Sequence, residues 1–203
     1  MSPAHVLEPT YAAIKQRLLD GDWPPGSRLE SARIADMVGV SMTPVRDSLN
    51  RLVGERLVDL RPGFGFHVPR LCAFELRQLL ELNLALVRLA LSRKRPGTQR
   101  DMRTVGPSPA ERTRTLFGLI ARAADNEALV DAVESLSDRL NPFRRLESQA
   151  LADVESEIGN IELLITGSDS RASATAVRRY HQRRISAAPR LVAVLQQAHA
   201  SNN

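Results

Sequence analysis

Ser41, Thr43 and Arg46, within the ten residues SMTPVRDSLN, are the side chains whose types and spacing best fit a chemical task. Hydroxyls beside the orphan backbone N–H groups of a helix start form a donor set that can grip a phosphate. An arginine one turn further on can fork onto a phosphate or onto O6 and N7 of guanine. Pro44, with no N–H to leave unpaired, suits the first helical position. Val45, Leu49 and Leu52 recur at i, i+4 and i+7, an apolar stripe for a core, and Thr43, Arg46, Asp47 and Asn50 fall off it. A short helix with one buried stripe and an outward, arginine-bearing N-terminal half is what major-groove reading requires. Catalysis finds no support: there is no nucleophile elbow, phosphate loop, metal-ligand spacing or carboxylate pair above chance.

The neighbouring segments must position that helix. Tyr11, Ile14 and Leu18 predict a helix over 10–19, ended by Asp20-Gly21-Asp22, and Trp23-Pro24-Pro25-Gly26 cannot be helical. Arg28-Leu29 reads as a brief strand. Glu30-Ser31 opens a second helix with Ile34, Ala35 and Val38 inward, and Gly39 stops it. Helix, Gly-Val-Ser turn, helix is the helix-turn-helix pattern. Leu57 to Leu60, the loop Arg61-Pro62-Gly63-Phe64-Gly65 and Phe66-His67-Val68 then predict a hairpin, a wing. Residues 1–70 are therefore expected to be a winged helix-turn-helix DNA-binding domain. Its candidate DNA-contacting residues are Arg33, Ser41, Met42, Thr43, Arg46, Arg51, Arg61, Gly63, Gly65 and His67. For Arg33 and Arg51 the alternative is an ion pair on a solvated face, and the two glycines could be ordinary hairpin glycines.

After the linker Pro69-Arg70-Leu71 helical periodicity takes over. Helices are predicted over 73–93, 109–124, 127–147, 151–165, 171–187 and 191–199, with Asn126 and Asp169 as N-caps and the breaker-rich Lys94–Ser108 as an exposed loop. The fold class is thus mainly α: a winged helix-turn-helix over 1–70 and an all-helical bundle over 71–203. In the bundle Arg144-Arg145, Arg178-Arg179 and Arg183-Arg184 read as solvated faces. Arg77 and Glu81 form an i,i+4 pair, or Arg77 faces a cavity and binds an anion. His181 stands alone among apolar residues, either packed and hydrogen-bonded or a ligand.

Charge sharpens the DNA reading. The chain is +5 overall, carried almost wholly by arginine, yet the first 70 residues hold nine basic against eight acidic side chains. Affinity for a polyanion must then come from where the arginines sit. The single Cys72 excludes an internal disulfide and points to a reducing, cytoplasmic setting. The opening MSPAHVLEPTYAAIK lacks the pattern of a secretory leader, and Leu76–Leu91 is too short and too charged to span a membrane.

The run LESARIADMVGVSMTPVRDSLNRLVGERLVDLRPGFGFHV resembles the DNA-binding half of GntR-type bacterial transcription regulators. Arg77…Glu81, Ala121…Asn126…Leu129 and Gly167-Ser168-Asp169…His181 are similar to the FadR-like branch, which carries an all-helical effector domain. The resemblance implies a homodimer on a short palindromic double-stranded operator, tuned by a small organic-acid effector, with Arg77 and His181 as candidate effector-binding residues. The expected function is a DNA-binding transcriptional regulator, a repressor and not an enzyme. The alternative is a regulator whose bundle has lost its effector and serves only dimerisation or a protein partner.

Two departures from that family matter. Where it usually has Arg after Gly-Val-Ser, this chain has Met42, which offers only apolar contact and forgoes a bidentate pair of roughly 1–3 kcal/mol in base discrimination. Members of the branch also often hold a divalent cation with an Asp and three His. Those positions fall here on Thr113, Phe117, Ile158 and His181, and one imidazole does not make a site of three or four ligands. No metal or other cofactor is expected.

Overall fold

Val45, Leu49 and Leu52 are fully buried, and the first of two compact units is built around them. The computed structural model describes residues 3–93, 104, 106, 108–167 and 169–200. Its two units are Met1–Leu71 and Cys72–Asn203. The first contains α1 (Pro3–Asp20), α2 (Ser31–Val38), α3 (Met42–Gly54), β1 (Asp59–Arg61) and β2 (Gly65–His67). The α3 stripe meets Tyr11, Ile14 and Leu18 from α1, Ile34 and Ala35 from α2, and Leu57 and Val58 beyond the helix. Gly39 closes α2 at φ 75°, a left-handed position that lets its N–H reach the Ala35 carbonyl at 2.9 Å and turns the chain into α3.

The wing is an antiparallel pair in the register Asp59 to His67, Leu60 to Phe66 and Arg61 to Gly65. Pro62 and Gly63 occupy the centre of its turn, Gly63 at φ 75°, and the Phe64 N–H bonds the Arg61 carbonyl at 3.0 Å. That is the residue pattern a type II turn demands. Arg28 bridges to His67, so the brief strand predicted at Arg28-Leu29 is a bridge on the hairpin's edge.

Three local expectations shift. Helix α1 begins at Pro3, not Thr10, and passes through Pro9, where the Thr10 hydroxyl bonds the Val6 carbonyl at 2.7 Å. Pro44 is the third residue of α3, which costs nothing, because the first four N–H groups of a helix have no internal partner anyway. Leu57 and Val58 sink into the core instead of pairing, so β1 starts at Asp59.

The second unit contains α4 (Ala73–Arg93), α5 (Pro109–Arg122), α6 (Glu127–Arg144), α7 (Glu147–Ala150), α8 (Val154–Thr166) and α9 (Ser170–Ala200). Its core joins Val87 and Ala90 to Leu116, Phe117, Ile120, Val133, Ile158, Ile161, Val177 and Tyr180. The Asn126 carboxamide caps α6, accepting from Leu129 N–H at 3.1 Å, and Asp169 accepts from the N–H groups of Arg171 and Ala172 at 2.9 Å. The helix predicted over 127–147 ends at Arg144, and α7 follows as a separate turn. The two helices predicted over 171–187 and 191–199 are one, α9, running through Pro189. The proline forfeits a single backbone bond, while Ala188, Leu191 and Leu195 continue the buried stripe of Val177, Tyr180 and Arg184 across it. Of the predicted loop, positions 94–103, 105 and 107 lie outside the described residues, and Ser108 caps α5 by accepting from Glu111 N–H. Among the described residues no helix is long and apolar enough to cross a membrane.

Candidate nucleic-acid interface and a buried polar cluster

Helix α3 is held from behind and open in front. Ser48 is buried and donates to the Pro44 carbonyl at 2.7 Å, so the polar group nearest the core stripe is satisfied. Ser41 is the N-cap residue with extended backbone, and its hydroxyl makes no capping bond, which leaves it and the first-turn N–H groups free for an outside acceptor. Met42, 46% exposed, opens the helix, and Thr43, Arg46, Asp47 and Asn50 are exposed after it. Arg46, Arg33 on α2 and Arg61 on β1 are all exposed and make no ion pair among the described residues.

Arg51 is placed differently. Its guanidinium lies 3.7 Å from the centroid of the Tyr11 ring, with Nη1 2.6 Å from Glu8 and Nε 3.6 Å from Glu55. The Tyr11 hydroxyl donates to Glu55 at 2.6 Å, and Lys15 pairs with the other Glu55 oxygen at 2.8 Å. Burial, then the bond to Glu55, pushes the Tyr11 phenol above its ordinary range. Arg51 thus fastens α3 to α1 rather than projecting a free charge.

His67 also departs from its expected place. It is buried, with Nδ1–H donating to the Gly65 carbonyl at 3.0 Å. Its backbone pairs with Asp59 and bridges to Arg28, and its side chain is buried within the domain. Gly63 and Gly65 both take positive φ, and Phe64 between them is 71% exposed at the wing tip. Sequence reading passed over Phe64, although an aromatic between two glycines in a turn is a signal for an exposed ring.

In the helical unit His181 is joined not to Arg77 but to residues of α4, α5 and α6. Its Nδ1–H donates to the Val177 carbonyl at 2.8 Å, and Nε2 lies 2.9 Å from the Asn83 carboxamide. Phe117 stacks on it with centroids 5.4 Å apart, and Tyr180 meets both rings edge-on. The Arg144 guanidinium sits 5.4 Å from the Phe117 centroid. Burial, with Arg144 and Arg184 nearby, lowers the His181 pKa to about 3, so the ring is neutral. Arg77 is half-buried six residues before Asn83, on another side of α4, and makes no ion pair with Glu81.

The arginine pairs expected on solvated faces divide. Arg145, Arg178 and Arg179 are exposed, whereas Arg144 is 4% and Arg184 0% exposed. Arg184 is neutralised inside the fold: Glu147 accepts at 2.6 Å, Glu157 at 2.7 Å, and the Tyr180 ring lies 3.4 Å from its guanidinium carbon. Their helical register held the clue, since Arg184 stands at i+4 from Tyr180 and Arg144 at i+4 from Leu140, on stripes that are otherwise buried. Among the described residues no three His, Cys, Asp or Glu are grouped to hold a metal ion, and Phe117 and Ile158 fill core positions.

Residues 8–68 match the family described as bacterial regulatory proteins, gntR family. The HTH-type transcriptional regulator McbR of Escherichia coli is 34% identical over 87 residues, covering 41% of this chain and 39% of its own length. Mce2R of Mycobacterium tuberculosis, another HTH-type transcriptional regulator, is 41% identical over 59 residues, 29% of this chain and 25% of that one. The chain thus spans well under half the length of these two relatives, both described as HTH-type transcriptional regulators. Among solved structures, E. coli McbR/YncC matches with a TM-score of 0.69 at 22% identity, over 95% of this chain and 98% of that one. A putative GntR regulator from Rhodococcus sp. RHA1 matches with a TM-score of 0.73 at 14% identity, over 90% and 96%. At such identities the likeness is one of fold: a winged helix-turn-helix followed by a helical bundle.

Proposed function

Because residues 8–68 are a GntR-family helix-turn-helix domain, we propose that this chain is a cytoplasmic DNA-binding transcriptional regulator, a repressor acting as a homodimer on a palindromic operator. The observation that carries this reading is the front of α3. Ser41, Met42, Thr43 and Arg46 are outward and uncommitted at a helix N-terminus, over a back face sealed by Val45, Leu49 and Leu52. In the proposed complex Ser41, Thr43 and the first-turn amides take a phosphate, Arg46 reads a base edge or a second phosphate, and Met42 meets an apolar group such as a thymine methyl. Arg33, Arg61 and the backbone at Gly63 and Gly65 add contacts to the sugar-phosphate chain. Arg51 and His67 hold the domain together from within.

A homodimer is supported by α4. Its inner face is core, yet Phe74, Leu82 and Leu89 are 64%, 50% and 41% exposed along the outer one. Together with Gln78 and Ala85 they fall within one 80° sector at ~100° per residue, a continuous stripe for the same helix of a second copy. We further infer that the helical unit works without a divalent cation, because both His181 ring nitrogens are engaged and Phe117 lies flat against the ring. A small-molecule effector then acts by shifting the two reading heads out of step with half-sites about one helical turn apart. The packing of Phe117 and Ile158 into the core favours the rival in which the bundle only dimerises; the buried Arg144, whose Nε and Nη1 have no hydrogen-bond partner among the described residues, opposes it.

Selection from random duplex DNA with the purified chain tests the function. Enrichment of two symmetry-related half-sites about one turn apart is expected; no enrichment over competitor DNA contradicts the proposal.

A further inference from the structure

Phe64 is the aromatic ring that the core of the first unit leaves out. Tyr11, Trp23 and Phe66 all pack into or against that core, while Phe64 stands 71% exposed at the wing tip. A lone exposed phenylalanine would mean little. This one is held in place: Arg61 pairs with Gly65, and the Phe64 N–H bonds the Arg61 carbonyl at 3.0 Å. Gly63 and Gly65, at φ 75° and 83°, put no side chain on either side of the ring. It is also flanked by charge. Strand β2 is the middle of three segments, with Arg61 of β1 opposite Gly65 on one edge and Arg28 bridging to His67 on the other. A Cβ at Gly65 would stand 3.9 Å from Arg28 Nε, so the Arg28 guanidinium reaches to the bare backbone next to Phe64. Both arginines are exposed and make no ion pair among the described residues. Leu60, beside Arg61, is a second exposed apolar side chain.

An apolar tip between two uncompensated cations suits a partner that is anionic at its surface and apolar just beneath. Duplex DNA has that order, with phosphates along the minor groove and stacked bases at its floor. A lipid surface shares it, yet one ring and two arginines are fewer contacts than stable membrane attachment takes. The hairpin also follows α3 within the same compact unit. We propose that Phe64 is a wedge that enters a base step from the minor groove and kinks the operator there, with Arg28 and Arg61 gripping phosphates on the two sides of the groove. Insertion costs least at pyrimidine–purine steps such as TA and CA, so Phe64 selects a deformable step at a position that no hydrogen bond reads. The wedge rests on the operator-binding reading above and adds to it a bend and a second source of sequence preference.

The test uses the full purified chain and a duplex that it enriches from random DNA. 2-Aminopurine is placed in turn at each adenine flanking the bases assigned to α3, and energy transfer between the duplex ends reports bending. The expected result is a bend of about 20–90° and brightened 2-aminopurine at one step. Phe64→Ala should melt with the parent, since the ring is exposed, yet lose bend and brightening together and bind at least about fivefold more weakly. Phe64→Leu, still an apolar wedge, should keep the brightening. Arg28→Gln should bind more weakly with a log–log salt slope shallower by about one. Sites selected with Phe64→Ala should lose the enriched pyrimidine–purine step. No enriched duplex at all defeats the regulator reading, and the wedge with it. A duplex that the parent binds but leaves straight and dark, or that Phe64→Ala bends and brightens equally, overturns the wedge alone, even where the ring then proves to hold a second copy of the chain or an anionic vesicle. Phe64→Leu behaving as Phe64→Ala does the same, and an unaltered salt slope in Arg28→Gln overturns the clamp.

Discussion

Phe117 lies nearly parallel to His181, ring centroids 5.4 Å apart and planes 17° from coplanar. The stacking closes one face of the imidazole, and hydrogen bonds at 2.8 and 2.9 Å occupy its two nitrogens. A metal ion would have to displace both partners and the ring. The purified chain is therefore expected to hold less than about 0.1 equivalent of divalent metal, with its melting temperature unmoved by EDTA. Stoichiometric metal lost together with stability on chelation is the contrary result.

The same burial makes His181 a source of acid sensitivity. Its pKa is about 3 in the folded chain and near 6.5 when unfolded. As pH falls below 6.5 the unfolded chain takes up a proton that the native one refuses, so stability drops until about pH 3 and this contribution then levels off. The slope is at most about 1.4 kcal/mol per pH unit from this group. His181→Gln should flatten the acid limb of a denaturation series between pH 6 and 4; an unchanged slope shows that other groups set it.

Glu147 is the buried counter-ion of Arg184, 2.6 Å away. Removing its charge leaves a fully enclosed guanidinium with Glu157 alone, which Arg183 also engages. Glu147→Gln is expected to cost about 3 kcal/mol in chemical denaturation. A loss below about 1 kcal/mol indicates that water reaches the pair.

Met42, at the head of α3 and 46% exposed, sets the base preference in the proposed complex. Met42→Arg should add guanine at the contacted position of sites selected from random DNA, with discrimination of roughly 1–3 kcal/mol. An unaltered consensus would place Met42 away from the groove.

Much of this was legible in the sequence, and the reasons differ by residue. The Val45, Leu49, Leu52 stripe, the Gly39 stop and the Asn126 cap are local signals whose physics is complete within a turn or two of chain. Helix α4 runs over Ala73–Arg93 as its periodicity predicts. The break expected between 187 and 191 is absent because the cost of Pro189 is local, while the stripe that carries α9 through it is set by packing along the whole helix. The charge of Arg144 and Arg184 predicts exposure while their register predicts burial; register prevails, and the partners that compensate Arg184 lie 37 and 27 residues away in sequence. Arg51 and His67, which the sequence offers as candidate DNA contacts, are engaged within the unit by Glu8, Tyr11 and Gly65. Tertiary partners of that kind leave no mark at the residue itself.

The most direct measurement is operator affinity as a function of salt for Arg46→Ala beside the unaltered chain, on DNA selected by the latter. Arg46 is exposed and free of ion pairs among the described residues, so its removal should leave the melting temperature unchanged. Affinity is predicted to fall at least about tenfold, with the log–log salt slope shallower by about one if the contact is to phosphate, or with relaxed specificity at one base pair if it is to a base edge. Unchanged affinity, slope and specificity would contradict the assignment of α3 as the reading helix.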